Sequence, residues 1–227
     1  MLLRRIVALV FSLAVSLHAQ QTIFDVPSAD VSTRHDYFYQ HQTVARTWNP
    51  ERQWLQTNAF GYGVGHHTEL DVTWFNLDLA RPRTSVLGAG FKTSLPLTPE
   101  GAPLRWHAVV GAQYLHGARA HSAGYWSYAM ASGELARTRT KLTGGLHAGN
   151  AVLFGRRTKG FLGGVEQPLT PRWMFQADWF RGRHDLAYLI PGMVYRFAPH
   201  WMVSLGYQIP NRRSPGVHAA VLEFTRF

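Results

Sequence analysis

Beyond its first twenty residues the chain never gathers an apolar run of the roughly 20 residues that a membrane-spanning helix needs, although 46% of its residues are hydrophobic. The apolar residues alternate instead. Leu104, Trp106, Ala108, Val110, Ala112 and Tyr114 fall on one face of an extended segment, and Arg105, His107, Gly111 and Gln113 on the other. Trp173, Phe175, Ala177 and Trp179 oppose Gln176 and Asp178; Trp201, Val203, Leu205, Tyr207 and Ile209 oppose Ser204, Gly206 and Gln208. A period of two with one wholly apolar face defines a half-buried strand. Large aromatics on one face, with Gly and charge on the other, suit lipid outside and a polar lumen inside better than a sandwich core. A soluble β-barrel is the alternative. Charged residues are only 16% of the chain, against about 25% in ordinary soluble domains, and apolar content spread thinly over alternate positions is the signature of a membrane barrel.

Segments of about ten residues separated by Gly, Pro, Asn or charge clusters predict strands over 35–46, 54–64, 68–78, 85–95, 104–115, 124–135, 139–150, 159–167, 173–181, 186–197, 201–209 and 216–227. Pro96-Leu97-Thr98-Pro99 recurs as Pro168-Leu169-Thr170-Pro171, and Pro171-Arg172-Trp173-Met174-Phe175 is echoed by Pro199-His200-Trp201-Met202-Val203. Proline lacks the N–H that a central strand donates, so these repeats predict turns, all before odd-numbered strands and so on one side. Charge supports that alternation of sides. One set of connections and their edges carries Arg46, Arg52, Arg81, Arg83, Arg119, Arg156, Arg157, Lys159, Arg181, Arg183, Arg212 and Arg213; the other carries only Arg137 and Arg172. Tryptophan favours the bilayer interface: Trp106, Trp173 and Trp201 open strands at one end, whereas Trp48, Trp54, Trp74, Trp126 and Trp179 lie towards the other.

Arg4 and Arg5 precede an apolar run from Ile6 to Leu17, and Leu17-His18-Ala19 offers a cleavage site before Gln20, the pattern of an export signal over 1–19. Its loss lowers the formal charge from +10 to about +8 by removal of two arginines. Residues 20–34 are then expected as a periplasmic N-terminal segment and 35–227 as the barrel. The chain has no Cys, which excludes a lipoprotein anchor, disulfides and thiolate chemistry. It closes on Val217-His218-Ala219-Ala220-Val221-Leu222-Glu223-Phe224-Thr225-Arg226-Phe227.

Export signal, alternating strands and terminal Phe227 together resemble the small porin-like or transporter-type β-barrels of the bacterial outer membrane. The resemblance spans nearly the whole chain and concerns architecture. It implies an all-β transmembrane antiparallel up-and-down barrel of about twelve strands, with ten as the alternative and both termini periplasmic. It also implies insertion by the barrel-assembly machinery through the C-terminal strand, and usually passive transport. One departure stands out: Thr225 and Glu223 share the face of Phe227 where such barrels prefer apolar residues, while Phe224, Leu222 and Ala220 lie opposite. Either a bulge switches faces near Glu223, or Glu223 faces the lumen and Phe227 is displaced.

The polar faces place Arg105, His107, Arg139, Lys141, His147 and Arg196 in the lumen against Glu69, Asp71, Glu134, Glu166 and Asp178. Isolated buried charges are costly, so two readings are open. The lumen is closed by cross-barrel ion pairs, or it is a water-filled pore whose basic mouth (Arg81, Arg83, Arg119, Arg156, Arg157, Arg183, Arg212, Arg213) concentrates small anionic solutes. The same arginines suit the phosphates of outer-membrane lipopolysaccharide, since guanidinium binds phosphate bidentately; a closed structural or lipopolysaccharide-binding barrel is therefore the rival. A lipid-modifying barrel enzyme, the remaining alternative, would carry a His-x-Ser pattern. Here His147 is followed by Ala148 and Gly149, and the adjacent His121-Ser122 point to opposite faces. His66, His67 and Glu69 diverge in an extended turn, and zinc wants a converging tetrahedral set. No cofactor is expected. A basic balance without a basic helix or binding motif argues against nucleic acid, and no Gly-rich phosphate cradle is present.

Overall fold

The computed structural model describes residues 22–48, 53–75, 85–117, 123–184 and 186–227 of the 227-residue chain. Twelve antiparallel strands close a barrel in simple sequence order, β1 completing the ring against β12. They are β1 (Tyr37–Arg46), β2 (Gln53–Gly65), β3 (Thr68–Phe75), β4 (Val86–Pro96), β5 (Leu104–Gly117), β6 (Gly124–Leu135), β7 (Lys141–Gly149), β8 (Lys159–Pro168), β9 (Trp173–Phe180), β10 (Tyr188–Ala198), β11 (Trp201–Pro210) and β12 (Ala219–Arg226). A single helical turn, α1 (Ala151–Phe154), lies between β7 and β8. Strands of 8 to 14 residues bracket the roughly 9–11 that cross a bilayer at a tilt of about 45°. All twelve expected strands are found; the ten-strand alternative is not. The expected signal segment over 1–19, Arg52, Arg81, Arg83, Arg119, His121 and Ser122 lie outside the described residues.

Each strand turns alternate residues outward, and the outward set is the apolar one. Leu70, Val72, Trp74, Leu142, Leu146, Phe161 and Leu205 are all largely exposed. A soluble protein does not leave such a continuous surface to water; this is the face a barrel turns to lipid. Trp106, Trp173 and Trp201 ring one end of it, and Trp54, Trp74 and Trp179 ring the other. Trp126 departs from the expected belt. Its register faces the lumen, where its indole N–H donates to Gln113 Oε1 at 3.2 Å.

The two ends of the barrel differ. β1 begins and β12 ends at the end that carries the five tight connections, among them His66-His67, Pro168 to Trp173 and Pro199-His200. The Pro-Leu-Thr-Pro repeats close two of these turns, on one side as expected. His66 and His67 both take positive φ, 51° and 57°, the backbone that a two-residue primed hairpin turn demands. Longer connections gather at the opposite end, where Arg156, Arg157, Arg183, Arg212 and Arg213 are exposed.

No bulge interrupts β12. It pairs residue for residue with β1 and β11, so Glu223, Thr225 and Phe227 all face inward. Phe227 packs with Met174, Val194 and Met202, and its carbonyl meets His200 Nδ1 at 3.1 Å. It closes the inner wall at the turn end.

Candidate functional site

The lumen is not empty. Residues 22–34, which fall in the stretch 20–34 expected as a periplasmic N-terminal segment, are folded into it. Ile23, Phe24 and Val26 are fully shielded from solvent. A tight turn, with Ile23 N–H donating to Val26 O at 2.8 Å, presents three successive amides to one acceptor. The N–H groups of Phe24, Asp25 and Val26 donate to Asp178 Oδ2 at 3.0, 2.6 and 2.7 Å. Carboxylates make strong bonds of this kind because the acceptor is charged. Gln176 Nε2 donates to Ile23 O at 2.6 Å, and Gln42 Nε2 to Phe24 O at 3.2 Å.

Lower down, Lys141 Nζ reaches both Asp30 carboxylate oxygens at 2.7 Å, and Ser32 N–H donates to Glu69 Oε2 at 2.8 Å. His35 N–H then ties to Gly63 O beside the β2–β3 turn. The segment thus fills the lumen from the turn end to mid-barrel. Its apolar side chains are packed as well: Phe24 meets Tyr188, Ile190 and Val221, and Val26 and Ala29 join Val109, Met130, Leu162 and Phe180. Space for Phe24 exists because the inward positions of β10 and β11 there are Gly192 and Gly206, where a Cβ would strike its ring. Burial raises the Asp25 carboxyl above the usual carboxylate range, and the Gln42 amide draws it partly back.

Of the expected lumen residues, Arg105, His107, Lys141, His147, Glu166, Asp178 and Arg196 all face inward, though in different settings. Arg105 pairs with Glu134, and His107 Nδ1 lies 3.3 Å from Ser94 Oγ. Arg196 sits over the Phe227 ring, 5.0 Å from its centroid. His147 packs among Phe154, Phe180 and His184. Glu166 is buried near the Lys141 end. Arg139 is the exception: the strand expected from residue 139 starts at Lys141, and Arg139 occupies the β6–β7 turn with φ 56°. Positive φ breaks the extended backbone, so its guanidinium reaches Glu134 from the rim at 3.6 Å. The reading from sequence missed Lys92, whose ammonium lies 3.0 Å from Glu69 with both side chains buried. Alternation would have found it, since Lys92 and Ser94 oppose Phe91, Thr93 and Leu95 in β4.

Between the segment and the loop end lies a cavity of about 570 Å³. Thr22, Phe24, Asp25 and Pro27 form its floor; Leu153 and Phe154 of α1, Leu186, Pro215 and Gly216 narrow it above. One wall is polar, with Gln40, Gln42, Thr57, Asp71, Thr73 and Gln113; the other is aromatic, with Trp126, Tyr128, Phe180 and Tyr188. The exposed His66 and His67 stay in their turn while Glu69 points inward, so these three do not converge.

No family model matches the chain, and no curated protein matches it in sequence. Among solved structures it is similar to the outer membrane protein Omp33 of Acinetobacter baumannii, with 13% identity, a TM-score of 0.53, and coverage of 87% of this chain and 100% of that one. It also matches the translocator domain of the autotransporter NalP from Neisseria meningitidis, with 15% identity and a TM-score of 0.43 over 84% of this chain and 87% of that domain. The fold is that of a bacterial outer-membrane β-barrel, and the apolar belt with its two tryptophan rings supplies the matching lipid-facing surface.

Proposed function

We propose that this outer-membrane barrel passes small solutes, with residues 22–34 as the movable closure of the pathway. The observation that carries the reading is how the segment is held. It adds no strand to the barrel ladder: the bridge Thr22 to Pro27 is internal to it, and its bonds to the wall run mainly to side chains such as Asp178, Gln176 and Lys141. It can therefore leave without breaking a single strand pairing, and the 570 Å³ cavity above it is space already open to a solute.

The basic loop end, with Arg156, Arg157, Arg183, Arg212 and Arg213 exposed, favours anions on approach by long-range focusing. Among the groups that line the cavity Arg46 and Lys92 equal Asp25 and Asp71 in number, and Lys92 is paired with Glu69, so any anion preference is set at the mouth. Planar-bilayer recording is the test. The expected result is small or intermittent current in the intact protein, larger current without residues 22–34, and a reversal potential on the anion side under a salt gradient. No current in the shortened protein sinks the transport reading, and clear cation selectivity sinks the anion preference. Glutamine at the five rim arginines is expected to move the reversal potential towards zero.

The filled lumen favours a second reading, a closed barrel whose rim arginines hold lipopolysaccharide phosphates. It predicts lipopolysaccharide that stays bound through purification, with no current in either form. In both readings the barrel-assembly machinery takes up β12 before closure, because afterwards Phe227 is turned inward.

A further inference from the structure

We infer that the loop-side cavity is a binding site for a planar, mainly apolar molecule that carries no negative charge and bears a hydroxyl or amine donor. The inference rests on reading the cavity as open to solutes, but not on conduction through the barrel. Its volume of about 570 Å³ is in the range of preformed small-molecule pockets, which are largely apolar with a few placed polar groups and occur in barrel mouths.

The aromatic wall selects a flat partner. Trp126 lies 4.9 Å from Tyr128 and 6.0 Å from Phe180, centroid to centroid, in tilted packing, so the three rings brace one another. Gln113 fixes the boundary between the two walls: its Oε1 accepts from the Trp126 indole, and its Nε2 donates to Asp71 Oδ2 and Thr73 Oγ1, each at 3.0 Å. With its hydrogen bonds committed in this way, Gln113 acts as a brace, and a carboxylate still has acceptor capacity beyond that one bond. Asp71 on the wall, with Asp25 on the floor, is therefore a group that a ligand donor meets.

Charge disfavours an anion as occupant. Of the two cations that line the cavity, Lys92 is matched by Glu69 at 3.0 Å and Arg46 donates to Gln53 Oε1 at 3.2 Å, and an anion brought against Asp71 would be buried without a partner, which is costly. The polar wall thus accepts, the opposite wall stacks, and the site as a whole is close to neutral.

The test is isothermal titration calorimetry of the full mature barrel in lipid nanodiscs, with empty nanodiscs as the blank. The probes are 2-naphthol, its charged analogue naphthalene-2-sulfonate, and naphthalene. Saturable one-to-one binding of 2-naphthol is expected, at least about tenfold tighter than the sulfonate. Thr57→Trp, which fills the cavity from β2, is expected to abolish it. Asp71→Asn is expected to weaken 2-naphthol several-fold while leaving naphthalene unchanged. Should Thr57→Trp fail the heat-shift mobility test for a folded barrel, the smaller filler Ala59→Leu takes its place. Sulfonate binding equal to or tighter than naphthol, or saturable binding that survives a folded filler variant, overturns the inference. A barrel that binds 2-naphthol but carries no current keeps this inference and removes transport; one that conducts and binds nothing does the reverse.

Discussion

Asp178 and Glu69 are the residues on which the interior turns. Each accepts from the N-terminal segment and each is buried. Replacing Asp178 by Leu strands three amide donors, and an unsatisfied buried donor costs about 1–3 kcal/mol. The expected outcome is a loosened segment in an intact barrel. Because the chain has no cysteine, Ser28→Cys supplies a unique reporter at a fully buried position. A water-soluble maleimide is expected to label it at least about tenfold faster beside Asp178→Leu, since each 1.4 kcal/mol is tenfold in an opening equilibrium; equal rates would show that the segment is held elsewhere. Lys92→Met leaves Glu69 buried without its cation, and breaking a buried pair costs about 3–5 kcal/mol. Urea unfolding of the refolded barrel is expected to show a loss of that size, largely restored by the double replacement with Glu69→Gln.

At the scale of elements, the segment and the strands are separable. The ladder runs unbroken from β1 through β12, with hydrogen bonds that owe nothing to residues 22–34. A protein lacking those residues, with residues 1–19 retained, is therefore expected to insert and to keep the heat-dependent gel mobility of a folded barrel. Loss of that mobility would make the segment a folding core instead of a closure. Glycines on inward positions mark where the two meet. Gly164 faces Ile23, Gly192 and Gly206 face Phe24, and Gly63 faces the backbone at Ser32 and Thr33. Gly206→Leu is expected to displace Phe24 and to speed Ser28→Cys labelling much as Asp178→Leu does, because a Cβ there already meets the ring.

The whole molecule is organised by its two faces. A charge on the outer one must sit in lipid: Leu146→Arg, central on β7 and exposed, is expected to cost about 2–4 kcal/mol in membrane unfolding experiments. Arg212 and Arg213, by contrast, are exposed in the last loop, where a charge stays in water, which is why charge could report sidedness before any strand was placed. Twelve strands, their order and the sorting of turns from loops were legible for that reason. A strand's period of two ties every side chain to one face, so Trp106 and Arg105 declare lipid and lumen by adjacency alone.

What alternation could not reach was the residue outside a strand. Residues 22–34 have no period, and Ile23-Phe24-Asp25-Val26 reads as polar linker until Asp178, more than 150 positions later, gathers its amides. Trp126 was placed at an interface because tryptophan prefers one, yet its register turned it inward to Gln113. Local chemistry along the chain determined that this protein is a membrane barrel and, Lys92, Trp126 and Arg139 apart, which side chains face its lumen. Only the closing of β1 on β12, which brought distant carboxylates around one short segment, decided that the lumen is filled below and hollow above.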